Sequence, residues 1–259
     1  MAERSSTPSH WDEFWTREQD IADIYPHSDS LFRNLSGFTS PANLKALEVG
    51  GGSGRDSAAL AKAGAQVTVV DYAQQALRTI RNVLDRANKP GKLVRADGFQ
   101  LPFPDNTFDI VFHQGVLEHF REPEPFLREN VRVLKPGGLL LVDVPQRWHL
   151  YTLAKHILIA MDKWFAGWET EFSIGELQKM MEAEGVEMVH SYGDWMYPGF
   201  FYRSIREALK KPGIKLPMYP PTVPVLRSLR RGFRNWFITK GPAFYTFSNI
   251  GIIGRKQTS

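Results

Sequence analysis

The sequence predicts an α/β fold built on a mostly parallel sheet, and three observations predict it. Apolar strand-like segments alternate with helical ones from residue 45 to residue 145, the pattern of repeated strand–helix–strand crossovers. A glycine-rich turn, Gly50-Gly51-Gly52-Ser53-Gly54, sits between the first strand and the first core helix. Such a turn brings main chain close to a ligand, and the following helix presents unpaired amides and the positive end of its dipole there. Finally, 259 residues with 42% hydrophobic content suit one α/β unit with additions.

Residues 1–44 form an N-terminal helical arm, with helices expected around 11–24 and 28–38. Trp11, Phe14 and Trp15 fall at i, i+3 and i+4 and make one aromatic face, which either docks the arm on the core or folds over the ligand site as a lid. The core follows over 45–259. Its expected strands are 45–49, 66–71, 93–96, 109–114 and 139–145, with helices at 54–63, 74–87 and 124–134. On an open parallel sheet a ligand sits beyond the carboxyl ends of the strands, and Glu48, Asp71, Asp97 and Gln114 all fall at such ends. Residues 146–172 interrupt the core. Leu153, Ile157, Leu158, Met161 and Phe165 repeat there with a 3–4 period, an apolar helical stripe. Ser173 then stands where an N-cap belongs, with Glu176 three residues on, a capping-box pair. A sixth strand is expected at 186–192 and a last one within 243–254.

Composition excludes several classes. There are no cysteines, hence no disulfide framework, thiolate metal site or cysteine nucleophile. The histidines show no metal-binding spacing, so no metal is expected. The N-terminus lacks a basic-then-apolar signal pattern. The longest apolar run, 157–161, falls far short of a membrane span. A cytoplasmic location is expected.

The glycine register narrows the chemistry. A dinucleotide loop requires G-x-G-x-x-G/A, but the closing position is Arg55 in one register and Ser57 in the other. What the chain has is E-x-G-x-G-x-G, from Glu48 to Gly54, which resembles motif I of the class I S-adenosylmethionine-dependent methyltransferases. Later segments agree in order. The strand 66–71 (QVTVVD) ends in Asp71, and Asp97-Gly98 follows the third strand. Then come Leu101-Pro102-Phe103-Pro104-Asp105-Asn106-Thr107-Phe108-Asp109, Gly115-Val116-Leu117-Glu118-His119 and Leu134-Lys135-Pro136-Gly137-Gly138. Together they resemble the UbiE-like, methyltransferase-11-type group over about residues 46–145. The resemblance implies a Rossmann-like seven-stranded sheet of order 3-2-1-4-5-7-6 with strand seven antiparallel. It implies S-adenosylmethionine as cofactor and S-adenosylhomocysteine as product. Glu48 with Gly50, Gly51, Gly52 and Gly54 would hold the methionine portion, Asp71 the ribose hydroxyls, and Asp97 with Gly98 the adenine edge. Tyr72 and Phe99 would stack on adenine, and Gln114 would meet the amino end. Departure of a neutral thioether needs no protonation, so alignment and water exclusion dominate. A general base, where one is used, falls to His119, which follows strand four, or to His149 and Tyr151 after strand five.

The acceptor is framed by the stretch 194–241. It holds ten Lys or Arg against two acids, ten minus two or +8, whereas the whole chain is +4. Aromatic residues are interleaved, and Pro212, Pro217, Pro220, Pro221 and Pro224 break it into short helices. It is expected to form a helical cap over the acceptor side, with Trp195, Phe200, Phe201 and Tyr202 at the pocket entrance. A basic aromatic surface suits an anionic, small or lipid-like acceptor or an anionic membrane surface. It also permits nucleic acid. Strand four, however, ends His113-Gln114-Gly115-Val116 rather than in the Asn/Asp-Pro-Pro-aromatic segment of amino-adenine methyltransferases. An RNA or DNA methyltransferase and a non-catalytic adenosylmethionine-binding scaffold are therefore the alternatives.

Overall fold

A computed structural model describes residues 7–16, 30–161, 169–195, 198–210, 212–217, 219, 228–229, 232–233, 236–237 and 240–258. Its centre is one seven-stranded sheet: β1 Lys45–Val49, β2 Gln66–Asp71, β3 Lys92–Arg95, β4 Phe108–Gln114, β5 Leu134–Pro145, β6 Val186–Asp194 and β7 Asn249–Lys256. The order across the sheet is β3-β2-β1-β4-β5-β7-β6. The first five strands pair in parallel, and β7 runs antiparallel between β5 and β6. This is the topology the motif order implies. Alternate residues of each central strand feed opposite faces, the period-two rule of a pleated strand. Ile110 and Phe112 of β4 join one apolar layer, and Val111 joins the other.

Helices α3 Arg55–Lys62 and α4 Gln74–Arg86 cover one face, through Leu60, Leu77, Ile80 and Leu84. Helix α5 Glu124–Val133 and helix α7 Ile174–Ala183 cover the other, through Phe126, Leu127, Leu177 and Met181. The expected capping box starts α7: Ser173 Oγ accepts the Glu176 amide at 3.4 Å, and Glu176 accepts the Ser173 amide at 2.8 Å. Strand β5 begins earlier than its apolar run suggests. Leu134 already pairs with Phe108, and the ladder resumes only at Leu139 opposite Ile110. Lys135 to Gly138 loop out between them, a bulge that the Pro136-Gly137 pair permits.

The N-terminal arm is described as α1 Pro8–Thr16 and α2 Ser30–Ser36; the remainder of the longer first helix expected from the sequence lies outside the described residues. Leu31 and Leu35, one turn apart, seat α2 in the core at 0% exposure. Helix α1 is tied to the start of α4, where the Gln75 amide donates to Asp12 Oδ1 at 3.1 Å.

Two helices depart from the usual amphipathic arrangement. In α6 Leu150–Ala160 the apolar stripe faces outward: Leu153 is 61% exposed and Ile157 55%, while Lys155 on the inner face is 1% exposed. An apolar helical stripe ordinarily faces a core; here polar bonding claims the inner face instead. Thr152 Oγ1 donates to the Gln146 carbonyl at 2.7 Å, and Lys155 meets two carboxylates at 2.6 Å each. Phe165, the last residue of the predicted stripe, lies outside the described residues. Helix α8 Phe200–Lys210 repeats the inversion, with Phe201 70% exposed and the Arg206 side chain only 15% exposed.

Candidate functional site

The carboxyl ends of β1, β2 and β4 open onto one cavity. Each strand delivers one part of the wall. Gly50 and Gly52 come from the turn after β1, Asp71 and Tyr72 from the end of β2, and Gln114, Gly115 and Val116 from the end of β4. His119 and Phe120 follow, and Trp11 and Trp15 of α1 supply the remaining wall. This is the crevice beyond the strand ends where open α/β sheets take ligands.

The turn needs glycine for two separate reasons. Gly50 holds φ 72°, and a Cβ there would stand 2.6 Å from Val116 Cγ2. At Gly51 a Cβ would come within 2.2 Å of Val69 Cγ1, so the turn lies directly on β2. Helix α3 then starts without a side-chain cap, leaving its first amides to other partners. Asp71 fixes this arrangement from below. Its carboxylate accepts the Gly52 amide at 3.2 Å and the Ala73 amide at 2.9 Å. Burial raises its pKa from 3.8 to about 6, although those amide bonds pull the other way. A carboxylate placed so borders the cavity and can accept a pair of hydroxyls.

Glu48 stands one step back. It is 5% exposed, does not line the cavity, and accepts a hydrogen bond from Ser57 Oγ of α3. Burial, then the nearby Asp56 charge, pushes its pKa well above the ordinary carboxylate range. In this arrangement Glu48 braces strand β1 against helix α3. Gly51 and Gly54 likewise pack inward, Gly54 on Ile80. Asp97 Oδ1 accepts the Phe99 amide at 2.9 Å, and a Cβ on Gly98 would meet Phe126 at 2.6 Å. Phe99 touches the cavity wall indirectly, edge-on to Phe120 with ring centroids 4.6 Å apart. Of Asp97, Gly98 and Phe99, which follow β3, none lines the cavity, and Phe99 alone is seen against one of its walls.

His119 lines the cavity with its ring 4.9 Å from that of Trp11. His149 and Tyr151 are placed elsewhere. His149 is the N-cap of α6, its Nδ1 accepting the Tyr151 amide at 3.1 Å. Burial pushes the Tyr151 phenol up, and the Glu169 charge adds to the shift. His113, fully buried, packs against Phe126 at 5.1 Å, and burial lowers its pKa to about 3. Among the described residues, none from 194–241 lines the cavity. Trp195, expected at the pocket entrance, instead stacks on Phe237 at 6.0 Å and donates its indole N–H to Thr246 at 2.9 Å. Trp195 also packs on Phe247 at 4.9 Å, because it extends directly from the end of β6 onto the sheet's apolar layer.

Two features of the site are only faintly marked in the sequence. Phe120 is a cavity wall, signalled only by its place next to His119. Behind the cavity lies a buried ionic group. Lys155 Nζ pairs with Glu169 and Glu171, which are 8% and 5% exposed. Burial would lower the Lys155 pKa, but the two carboxylates outweigh it and hold it above its ordinary value. Next to them Glu118 is buried, and burial together with the Glu169 charge pushes its pKa well up. Its carbonyl accepts the Thr170 amide at 2.8 Å, tying this group to the turn that carries His119. A lysine on the face opposite Leu153 and Ile157 was the available signal.

Asp143, at the end of β5, has its pKa raised by burial to about 7, against hydrogen bonds from Asn249 and Gln114. With Asp71 it sets a pH dependence. Both folded pKa values lie above the unfolded value, so the folded state holds more protons and these groups favour folding in acid. That contribution is lost as pH rises from about 4 to about 7. Tm should therefore fall across this window, and Asp143→Asn, which mimics the protonated acid, should flatten the fall. Equal slopes in wild type and Asp143→Asn would refute the assignment.

Comparison with known proteins agrees with the cavity. Residues 47–142 match the family model described as a methyltransferase domain. A demethylmenaquinone methyltransferase of Clavibacter sepedonicus is 38% identical over 101 residues, 39% of this chain and 41% of that protein. The matched region spans only about two fifths of such relatives. Among solved structures, a SAM-dependent methyltransferase from Thermotoga maritima superposes with TM-score 0.65 at 16% identity, over 97% of this chain and all of that one. Magnesium protoporphyrin IX methyltransferase from Synechocystis PCC 6803, solved with bound SAH, gives TM-score 0.60 at 13% identity, over 96% and 93%. At these identities the structural likeness establishes the fold.

Proposed function

We propose that this chain, whose residues 47–142 match a methyltransferase domain, is a class I adenosylmethionine-dependent methyltransferase that transfers a methyl group to a small or lipid-like acceptor. Oxygen or carbon is the favoured atom. The observation that carries the reading is the convergence of Gly50, Gly52, Asp71 and Gln114 on one cavity at the strand ends. Those residues fit the cofactor. Asp71 offers a buried carboxylate to ribose hydroxyls, Tyr72 offers a ring to adenine, and the Gln114-Gly115 backbone faces the amino-acid end. S-adenosylmethionine supplies, when bound, a methyl group on a sulfonium centre whose thioether leaves without protonation.

The chain's own work is then alignment and exclusion of water. Trp11 and Trp15 close the cavity on the side of α1, so the arm acts as an apolar lid. His119 stands in the wall as the one imidazole placed to take a proton from an acceptor hydroxyl, among the described cavity residues. The walls supplied by Trp11, Trp15, Tyr72 and Phe120 favour an acceptor with apolar surface. The Clavibacter relative's quinone-type substrate is in keeping with that class.

Calorimetry tests the reading. Adenosylhomocysteine should bind and NAD should not, because the loop has the wrong glycine register for a pyrophosphate. Asp71→Asn should weaken adenosylhomocysteine by about 1–3 kcal/mol, the scale for hydrogen bonds to a charged group, with the fold retained. Normal binding by Asp71→Asn would remove the ribose role, and NAD binding without adenosylhomocysteine binding would remove the whole assignment.

A further inference from the structure

We infer that helices α6 and α8 form a docking surface for an anionic lipid bilayer. Both helices are inside out. Lys155 and Arg206 are turned inward, while Leu153, Ile157, Phe201 and Ile205 are each more than half exposed. Arg203 of α8 lies within electrostatic reach of Tyr151 of α6. Other large aromatics are exposed as well: Trp148, two residues before α6, is 61% exposed, and Phe233 and Trp236, which pack on Phe237, are 61% and 60% exposed. A monomer rarely leaves so many large apolar groups in water without a use for them. Apolar side chains with Trp and Phe next to basic residues are the composition of an interfacial membrane surface.

Charge selects the occupant. The stretch 194–241 carries ten basic residues against two acids, +8, and the chain as a whole only +4. A second copy would bring one strongly basic stretch towards another, which is repulsive. A bilayer carrying anionic headgroups attracts it, at a distance limited by salt screening. No helix among the described residues is long and apolar enough to cross a membrane, so contact is with the surface. This inference does not depend on the methyl-transfer reading.

The test is co-sedimentation of the full chain with vesicles of phosphatidylcholine alone and of equal parts phosphatidylcholine and phosphatidylglycerol. The wild type should pellet with the mixed vesicles and stay in solution with phosphatidylcholine. Ile157→Ser combined with Phe201→Ser should reduce partitioning roughly tenfold or more, at low and at high salt. Arg227→Ser combined with Arg230→Ser should reduce it by a similar factor at low salt only. Circular dichroism and adenosylhomocysteine binding, unchanged in every variant, exclude misfolding, since Ile157 and Phe201 are exposed. Unchanged sedimentation of the Ile157→Ser/Phe201→Ser variant overturns the inference. So does a dimer in light scattering that the same variant abolishes, or binding to RNA with none to mixed vesicles.

Discussion

Lys155→Met is expected to destabilise the protein by about 3–5 kcal/mol, the range for breaking a buried ion pair by removing one partner. The reason lies in what is left behind. Glu169 and Glu171, 8% and 5% exposed, would lose the ammonium at 2.6 Å and remain largely out of water without its charge, with His156 Nε2 still 2.7 Å from Glu171. At about 2–4 °C per kcal/mol for a chain of this size, Tm should drop by roughly 6–20 °C. The informative control is Lys155→Met with Glu169→Gln and Glu171→Gln. Removing the whole group rather than one member should recover much of the loss, because a buried charge group contributes little net stability relative to neutral replacements. A single variant with wild-type Tm would mean that the ion group is solvated, and failure of the triple variant to recover would assign the loss to packing.

The second large effect is expected at the glycine turn. Gly50→Ala combines two penalties. A left-handed φ of 72° costs a non-glycine residue about 1–2 kcal/mol, and the added Cβ lies 2.6 Å from Val116 Cγ2. Both residues line the cavity, so the strain falls on the ligand site. Adenosylhomocysteine affinity should fall roughly tenfold or more, equivalent to about 1.4 kcal/mol or greater. Val116→Ala removes the atom in conflict. The double variant Gly50→Ala/Val116→Ala should therefore bind better than additivity of the single changes predicts, with a coupling of about 0.5–3 kcal/mol. Strict additivity would show that backbone strain acts alone. Wild-type affinity in Gly50→Ala would separate the turn from the ligand.

The sequence by itself determined the strands, the mostly parallel sheet and the end of it that carries the cavity, while the strand order came from the family resemblance of the motifs. Strands β1, β2 and β4 are apolar runs with unambiguous ends, and the glycine turn, Asp71 and Gln114 lie at those ends; local periodicity and turn chemistry are sufficient to place them. The capping box at Ser173 and Glu176 was legible for the same reason, since both partners sit within one helical turn. Tertiary structure decided what depends on partners distant in sequence. The α6 stripe reads as a core-facing helix, yet Glu169 and Glu171, outside that helix, draw Lys155 inward and turn Leu153 and Ile157 to solvent. Glu48 reads as a cavity residue because it ends β1, yet Ser57 of α3 takes its carboxylate. Trp195 reads as an entrance residue, yet Phe247 and Thr246 hold it against the sheet. Trp11 and Trp15 could be grouped by helical spacing, but only the packing of α1 on α4 sets them over the strand ends. In each case a periodic pattern fixes which residues share a face, while the direction of that face is set by long-range polar bonds. Those bonds are made between segments whose proximity no local pattern encodes.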